Sequence, residues 1–135
     1  MPHNPIGSPA IHICSYEPAD HDAVLRLAPR LVIGIAPWRD PEGMLAAAQR
    51  WIEGSIEGRG SNRAVLVAKD SQANVIGFVS AARDTNFTGE LQAYVGELVV
   101  DEHAEGQGVG RLLMEAVENW ARAQGYHLVV LPTSR

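Results

Sequence analysis

Residues 95–124 restrict the fold more than any other stretch. Val95-Gly96-Glu97-Leu98-Val99-Val100 is an apolar run fit for a strand, it stops at Asp101-Glu102, and the loop beyond it has glycines at alternate positions, Gly106, Gly108 and Gly110. From about Gly108 to Gln124, Val109, Leu112, Leu113, Ala116, Val117, Trp120 and Ala121 fall at i, i+3, i+4, i+7, i+8, i+11 and i+12, which is one wide helical face. The order is therefore strand, glycine-rich turn, helix. Such a turn leaves backbone N–H groups free at a helix N-terminus, where unpaired donors and the positive dipole end both favour an anion such as phosphate. Glycine there lets the backbone approach a ligand closely and adopt φ > 0 without a Cβ penalty.

Two phosphate-binding patterns fail on this loop. A P-loop needs Lys-Ser or Lys-Thr after its last glycine, and Arg111-Leu112 follows Gly110. A dinucleotide fingerprint needs its third glycine where Arg111 stands and an acidic residue about 20 positions on, where Gly125-Tyr126-His127 offers none. The stretch instead resembles the acyl-CoA-dependent N-acetyltransferases of the GNAT superfamily. Their pattern is Arg or Gln, any two residues, Gly, any residue, then Gly or Ala, after a strand and opening a long helix. Here it begins at Glu105, its glycines are Gly108 and Gly110, and Gly106 is a frequent extra one.

The resemblance implies an α+β (α/β three-layer) fold with a mixed, mostly antiparallel central sheet flanked by helices. It implies acetyl-CoA as cosubstrate, with its diphosphate on Glu105, Gly106, Gln107, Gly108, Val109, Gly110 and Arg111. The pantetheine would bond to the backbone of Leu98, Val99 and Val100 in a gap where the strand is bulged and splays from its neighbour. Glu97 matches a position that holds a catalytic glutamate in many members. A carboxylate partly buried in a sheet has its pKa pushed up, towards use as a base near neutral pH; the alternative is a cross-strand ion pair with an arginine such as Arg83. The family's Arg or Gln is Glu105 here, and a carboxylate near a diphosphate is repulsive by about 1 kcal/mol or a few at surface-like dielectric. Weaker cofactor affinity is the expectation.

The remaining segments fit that frame. Residues 1–9, rich in Pro, Gly, Ser and Asn, read as a flexible leader to a single domain over 10–135. Ala10–Ser15 reads as a first strand holding Cys14 as a small core hydrophobe. Asp20 would cap a helix with Val24, Leu25, Leu27 and Leu31 on its stripe, kinked or ended by Pro29. Asp40 with Pro41 would open a second helix whose stripe is Met44, Leu45, Ala48, Trp51, Ile52 and Ile56. Arg63–Lys69 and Val75–Ala82 form a hairpin, Leu91–Val100 is the strand before the loop, Gly125 ends the long helix with Glu118 and Arg122 paired on its outside, and Tyr126–Leu131 is a final strand. This is the GNAT order through its fifth strand. The family's last helix and closing strands, which often supply a tyrosine as general acid, are not matched.

Among other residues, Trp51 and Trp120 read as core. Tyr94 reads as cross-strand packing, because it alternates to the face opposite Glu97. By the resemblance, Trp38, Arg39 and Phe87 lie in connections that line the acceptor pocket. His103 reads as a solvated turn residue, and His12 and His127 have no paired ligand, so no metal is expected. With 16 acidic against 11 basic residues and a single lysine, no basic stripe for nucleic acid exists. No apolar run reaches the ~20 residues of a membrane span, and no secretory leader precedes the domain. A cytoplasmic enzyme is expected, a homodimer that covers the sheet's unpaired edge, moving acetyl from acetyl-CoA to a primary amine of a small molecule or peptide. The alternative is a non-catalytic CoA-binding module or a fragment of an acetyltransferase.

Overall fold

A computed structural model describes residues 10–32, 41–127 and 129–130. The elements are β1 (His12–Ser15), a 3-10 turn (Pro18–Asp20) running into α1 (His21–Leu25), a second 3-10 turn (Ala28–Val32), α2 (Pro41–Glu57), β2 (Arg63–Lys69), β3 (Val75–Thr85), β4 (Leu91–Val100), a third 3-10 turn (Glu102–Ala104), α3 (Val109–Gln124) and β5 (Val129–Val130). The sheet of five strands keeps the sequence order β1-β2-β3-β4-β5. The pairs from β1 to β4 are antiparallel, and β4 pairs β5 in parallel. A parallel pair needs a crossover, which α3 supplies. The α+β fold expected from the sequence is the one that forms.

Helices cover both faces of the sheet, so β2 and β3 are apolar on both sides. Val65, Val67, Phe78 and Val99 pack with Val24, Leu27, Ala48, Ile52 and Ile56 of the α1–α2 layer. Ala68, Val79, Ala81 and Val95 pack with Val109, Leu113 and Val117 of α3. Leu113 is fully buried, so Leu113→Ala would cost about 2–5 kcal/mol. Where α3 begins it presses on β3: a Cβ on Gly77 would lie 2.9 Å from Val109 Cγ1 and 3.0 Å from Leu113 Cδ1. A glycine in β3 thus seats the N-terminus of α3 against the sheet. At the other end Gly125 is left-handed (φ 85°) and closes the helix as expected, its N–H bonding to the Ala121 and Arg122 carbonyls.

The strand β4 changes face part-way. Glu97 pairs with Ser80 while Val95 pairs with Ala81, so Gly96 is an extra residue without a partner on β3. Val95 faces the α3 layer and Val99 the α2 layer, although four residues apart on a regular strand they would share a face. The bulge absorbs the switch.

Several local expectations are corrected. Cys14 is exposed, because Ile11 and Ile13 take the inward positions of this edge strand against the α3 layer. Asp20 stands at the N-cap of α1 as expected, but its side chain makes no capping bond there. Its carboxylate accepts the Glu17 N–H and pairs with Lys69 Nζ at 3.0 Å. The first helix is short, and Pro29 lies in a separate 3-10 turn. Arg122 bonds Asn119 and not Glu118, while Arg111 and Glu115 make the i,i+4 approach at 3.9 Å. Trp120 is partly buried and meets Tyr126 edge-on, with ring centroids 5.5 Å apart. The leader, Trp38, Arg39 and Asp40 lie outside the described residues.

Candidate active site

The bulge brings Glu97 to the floor of a cleft of about 440 Å³ between α2 and the sheet. The side chain is buried. Ser80 Oγ of β3 donates to Glu97 Oε1 at 2.7 Å, and Ser55 Oγ of α2 donates to the same oxygen at 2.9 Å. Arg63 Nη1 donates to Ser55 Oγ at 3.3 Å, so a guanidinium stands one hydroxyl behind the carboxylate. Among the described residues Glu97 Oε2 has no hydrogen-bond partner, and a buried oxygen left so costs on the order of 1–3 kcal/mol.

Burial pushes the Glu97 carboxyl above the ordinary carboxylate range. The hydroxyls of Ser80 and Ser55, the nearby Trp51 indole and the Arg63 charge pull it part of the way back. Desolvation is the largest of these effects, so the net direction is upward. The expected alternative, an ion pair with Arg83, does not form. Arg83 pairs with Ala93, before the bulge, and Glu97 pairs with Ser80 beyond it.

Two aromatic residues are corrected here. Trp51 is 65% exposed and forms a wall of the cleft. It stands on the flank of the α2 stripe, whose centre is Ala48, Ile52, Ser55 and Ile56. Tyr94 lines the same cleft as Glu97. Simple alternation put it on the opposite face, and Gly96 reverses that parity. Glycine suits the spot, because a Cβ there would lie 3.2 Å from Ser80 Oγ. Phe87 is fully exposed at the β3–β4 turn and is not among the residues lining this cleft.

Beyond Tyr94, β4 has no partner on its outer side among the described residues, since β5 pairs only Ala93 and Tyr94. The Asp101 N–H bonds the Ile76 carbonyl. Because polar groups of successive strand residues point to opposite sides, Val99 turns its main chain towards β3, while Leu98 and Val100 turn theirs to the open edge. Of the backbone positions expected to meet pantetheine, the geometry thus offers Leu98 and Val100 and withdraws Val99. The Val100 carbonyl already accepts from Arg30 Nε at 3.2 Å.

The open edge leads to the glycine loop. Gly106 and Gly108 are left-handed, with φ of 84° and 81°. Among the described residues, the N–H groups of Gly106, Gln107, Gly108, Val109, Gly110 and Arg111 have no hydrogen-bond partner. They leave a row of free donors at the N-terminus of α3, an arrangement that suits an anion. Glu105 at its entrance is half-exposed and paired with Arg30, which reaches it from the 3-10 turn at Ala28–Val32. Its charge is therefore offset, contrary to the expectation of bare repulsion. His103 is exposed beside the loop, as expected.

Comparison with known proteins agrees with the fold. The profile of the Acetyltransferase (GNAT) family matches residues 29–135. The chain belongs to the GNAT acetyltransferase family. An L-methionine sulfoximine/L-methionine sulfone acetyltransferase of Pseudomonas paraeruginosa is 30% identical over 95 residues, covering 70% of this chain and 54% of the relative, so the chain spans about half the length of that relative. Ribosomal-protein-alanine N-acetyltransferase of Brucella melitensis superposes with a TM-score of 0.69 at 20% identity, over 93% of this chain and 82% of the other. AAC(6')-Iy in complex with the bisubstrate analogue CoA-S-monomethyl-acetylneamine gives 0.65 at 17% identity, over 93% and 80%. These two show that the GNAT fold is shared.

Sequence reasoning missed Ser55, Ser80, Arg63 and Arg30. The two serines had a signal, each being a polar residue inside an otherwise apolar pattern. Neither arginine had one, since their positions depend on which elements come together.

Proposed function

We propose that this GNAT protein is an N-acetyltransferase that moves an acetyl group from acetyl-CoA to a primary amine of a small molecule or peptide. The observation that carries this reading is the buried Glu97, with Oε2 unpartnered, lying in a cleft next to the open edge of β4 that leads to the glycine loop. Gly106 to Arg111 would hold the diphosphate through main-chain N–H groups, and Leu98 and Val100 would hold the pantetheine. Acetyl-CoA supplies an activated acyl group. The scheme asks for no metal, because the thioester itself activates the acyl group.

In this scheme the amine attacks the thioester carbonyl from the cleft. Glu97, ionised and raised in pKa by burial, takes the proton, directly or through one water. The outward Leu98 N–H stabilises the developing oxyanion. We also propose a homodimer; in support, Leu91, at the end of β4 beside the described part of β5, is more than a third exposed. Sedimentation as a stable monomer would count against it.

The test is thiol release from acetyl-CoA across an amine panel, alongside CoA binding by calorimetry. Glu97→Gln is expected to lower turnover by about 10²–10⁴-fold while CoA binding is kept. Full activity in that variant would remove Glu97 from the mechanism. CoA binding without thiol release on any amine would favour the binding-module alternative.

A further inference from the structure

The cleft that holds Glu97 has walls of the wrong charge for a polycation. Arg50 from α2 and Arg63 from β2 both line it, together with Trp51, Tyr94 and Ala82, and Glu97 is the sole carboxylate among its lining residues. Neither arginine makes an ion pair among the described residues. Arg63 spends one N–H on Ser55, which leaves most of its donors unused, and Arg50 has no hydrogen-bond partner in that set. Unpaired guanidinium groups at a cleft wall suit a planar anion, which they bind through charge-assisted and often bidentate hydrogen bonds. A second ammonium on the acceptor would meet repulsion there. A volume of about 440 Å³ is that of a small-molecule site, and the Trp51 and Tyr94 rings supply apolar walls for a medium-sized side chain.

Resting on the transferase reading above, we propose that the acceptor is a small primary amine that also carries a carboxylate, an α-amino acid in its simplest form, whose carboxylate is held by Arg63 and Arg50 while its nitrogen is presented to Glu97. The nitrogen bonds to the thioester carbonyl carbon and the C–S bond breaks. Acetyl-CoA and the ammonium form of the acceptor give the N-acetyl product, CoA thiol and one released proton. Glu97 relays the proton that leaves nitrogen. The mildly acidic balance of the whole chain does not bear on this choice, because the cleft's own lining is net positive.

The experiment compares L-leucine, L-methionine and L-phenylalanine with their methyl esters and with the corresponding decarboxylated amines. The ester nitrogen is less basic than that of the acid, and the decarboxylated nitrogen is more basic. A preference for the acid over both is therefore not a basicity effect. Thermal shift of the CoA-saturated protein reads binding without turnover, and thiol release reads transfer. At least one acid is expected to bind about tenfold or more tightly than its ester and amine, as a charged hydrogen-bonded pair should, and to show the same preference in kcat/KM. Arg50→Gln, which leaves the Arg63–Ser55–Glu97 chain in place, is expected to raise KM for the acid with kcat kept and to erase the preference. Arg63→Gln should do the same and also move the acid limb of the pH profile upward, while Arg63→Lys restores part of the preference. Esters, amines or polyamines binding as well as the acids would overturn the proposal, as would an unchanged preference in Arg50→Gln. Acid-selective binding without thiol release would sink the transferase reading and leave the carboxylate anchor standing. Thiol release without acid selectivity would do the reverse.

Discussion

The glycine loop and the Glu97 cleft solve the problem of presenting polar groups in opposite ways. The loop uses main chain. Its donors are exposed N–H groups that water serves until a ligand arrives, so an empty loop costs the fold little. The cleft uses side chains drawn from α2, β2, β3 and β4, and it buries a carboxyl with one oxygen bare. That arrangement costs stability whenever the carboxyl is ionised. The first site is cheap and local, while the second is expensive and assembled from distant parts of the chain.

The largest expected effect breaks that comparison at its costly end. Burial raises the folded-state pKa of Glu97, so the ionised side chain subtracts stability above that pKa. The subtraction fades as pH falls through the folded value towards the unfolded one. Glu97→Gln, the variant expected to lose turnover, should therefore gain stability at neutral pH. The gain should be about 1 kcal/mol, or a few degrees in melting temperature, and should shrink on acidification. A melting temperature that falls at every pH would show that the carboxylate is held for packing. At the cheap end, Gly108→Ala meets no atom within 4 Å, but its φ of 81° is strained for alanine by about 1–2 kcal/mol. CoA affinity should drop about tenfold, with turnover at saturating cofactor nearly kept. Unchanged affinity would mean that the left-handed turn is not what binds.

Smaller effects sharpen the contrast. Ser80→Ala removes a hydroxyl that favours the Glu97 anion, so the carboxyl pKa should rise further. The acid limb of kcat/KM should move to higher pH while the alkaline plateau survives. A profile unchanged in position would separate Glu97 from the ionisation that controls rate.

The same division explains what could be read in advance. The loop was legible because its function lies in consecutive residues: Gly106, Gly108 and Gly110 after an apolar run, with the Val109–Ala121 stripe behind them. The mixed sheet was legible too, since β2 and β3 are short apolar runs joined by Asp70-Ser71-Gln72-Ala73-Asn74. The cleft was half legible. Glu97 stood out by position, but the parity rule that sent Tyr94 to the other face fails at Gly96, because nothing local distinguishes a bulge glycine from any other strand glycine. Trp51 fits the α2 stripe at helical spacing and yet stands on its flank, since the width of the buried face is set by how closely α2 approaches the sheet. Cys14 was misplaced for a related reason. In a strand of four residues at the sheet edge, two phases of alternation fit about equally well, and packing against α3 chose the one with Ile13 inside.

Arg30 tests the boundary between the two kinds of site, because it adds a distant side chain to the loop otherwise built from main chain. It pairs with Glu105, 75 positions away, and donates to the Val100 carbonyl, joining the loop to the open edge of β4. Arg30→Ala removes a cation from the diphosphate's surroundings and leaves Glu105 uncompensated, so CoA affinity should fall roughly threefold to fivefold, within the range of a partly exposed pair. Glu105→Gln frees the guanidinium to face the diphosphate and should raise affinity by roughly twofold, with the gain vanishing at high ionic strength. The double variant discriminates most. If Arg30 acts only by masking Glu105, Arg30→Ala with Glu105→Gln returns to the parent's affinity. If Arg30 also meets the diphosphate, the double variant stays weaker than the parent, and the cation that serves the loop entrance comes from a different element.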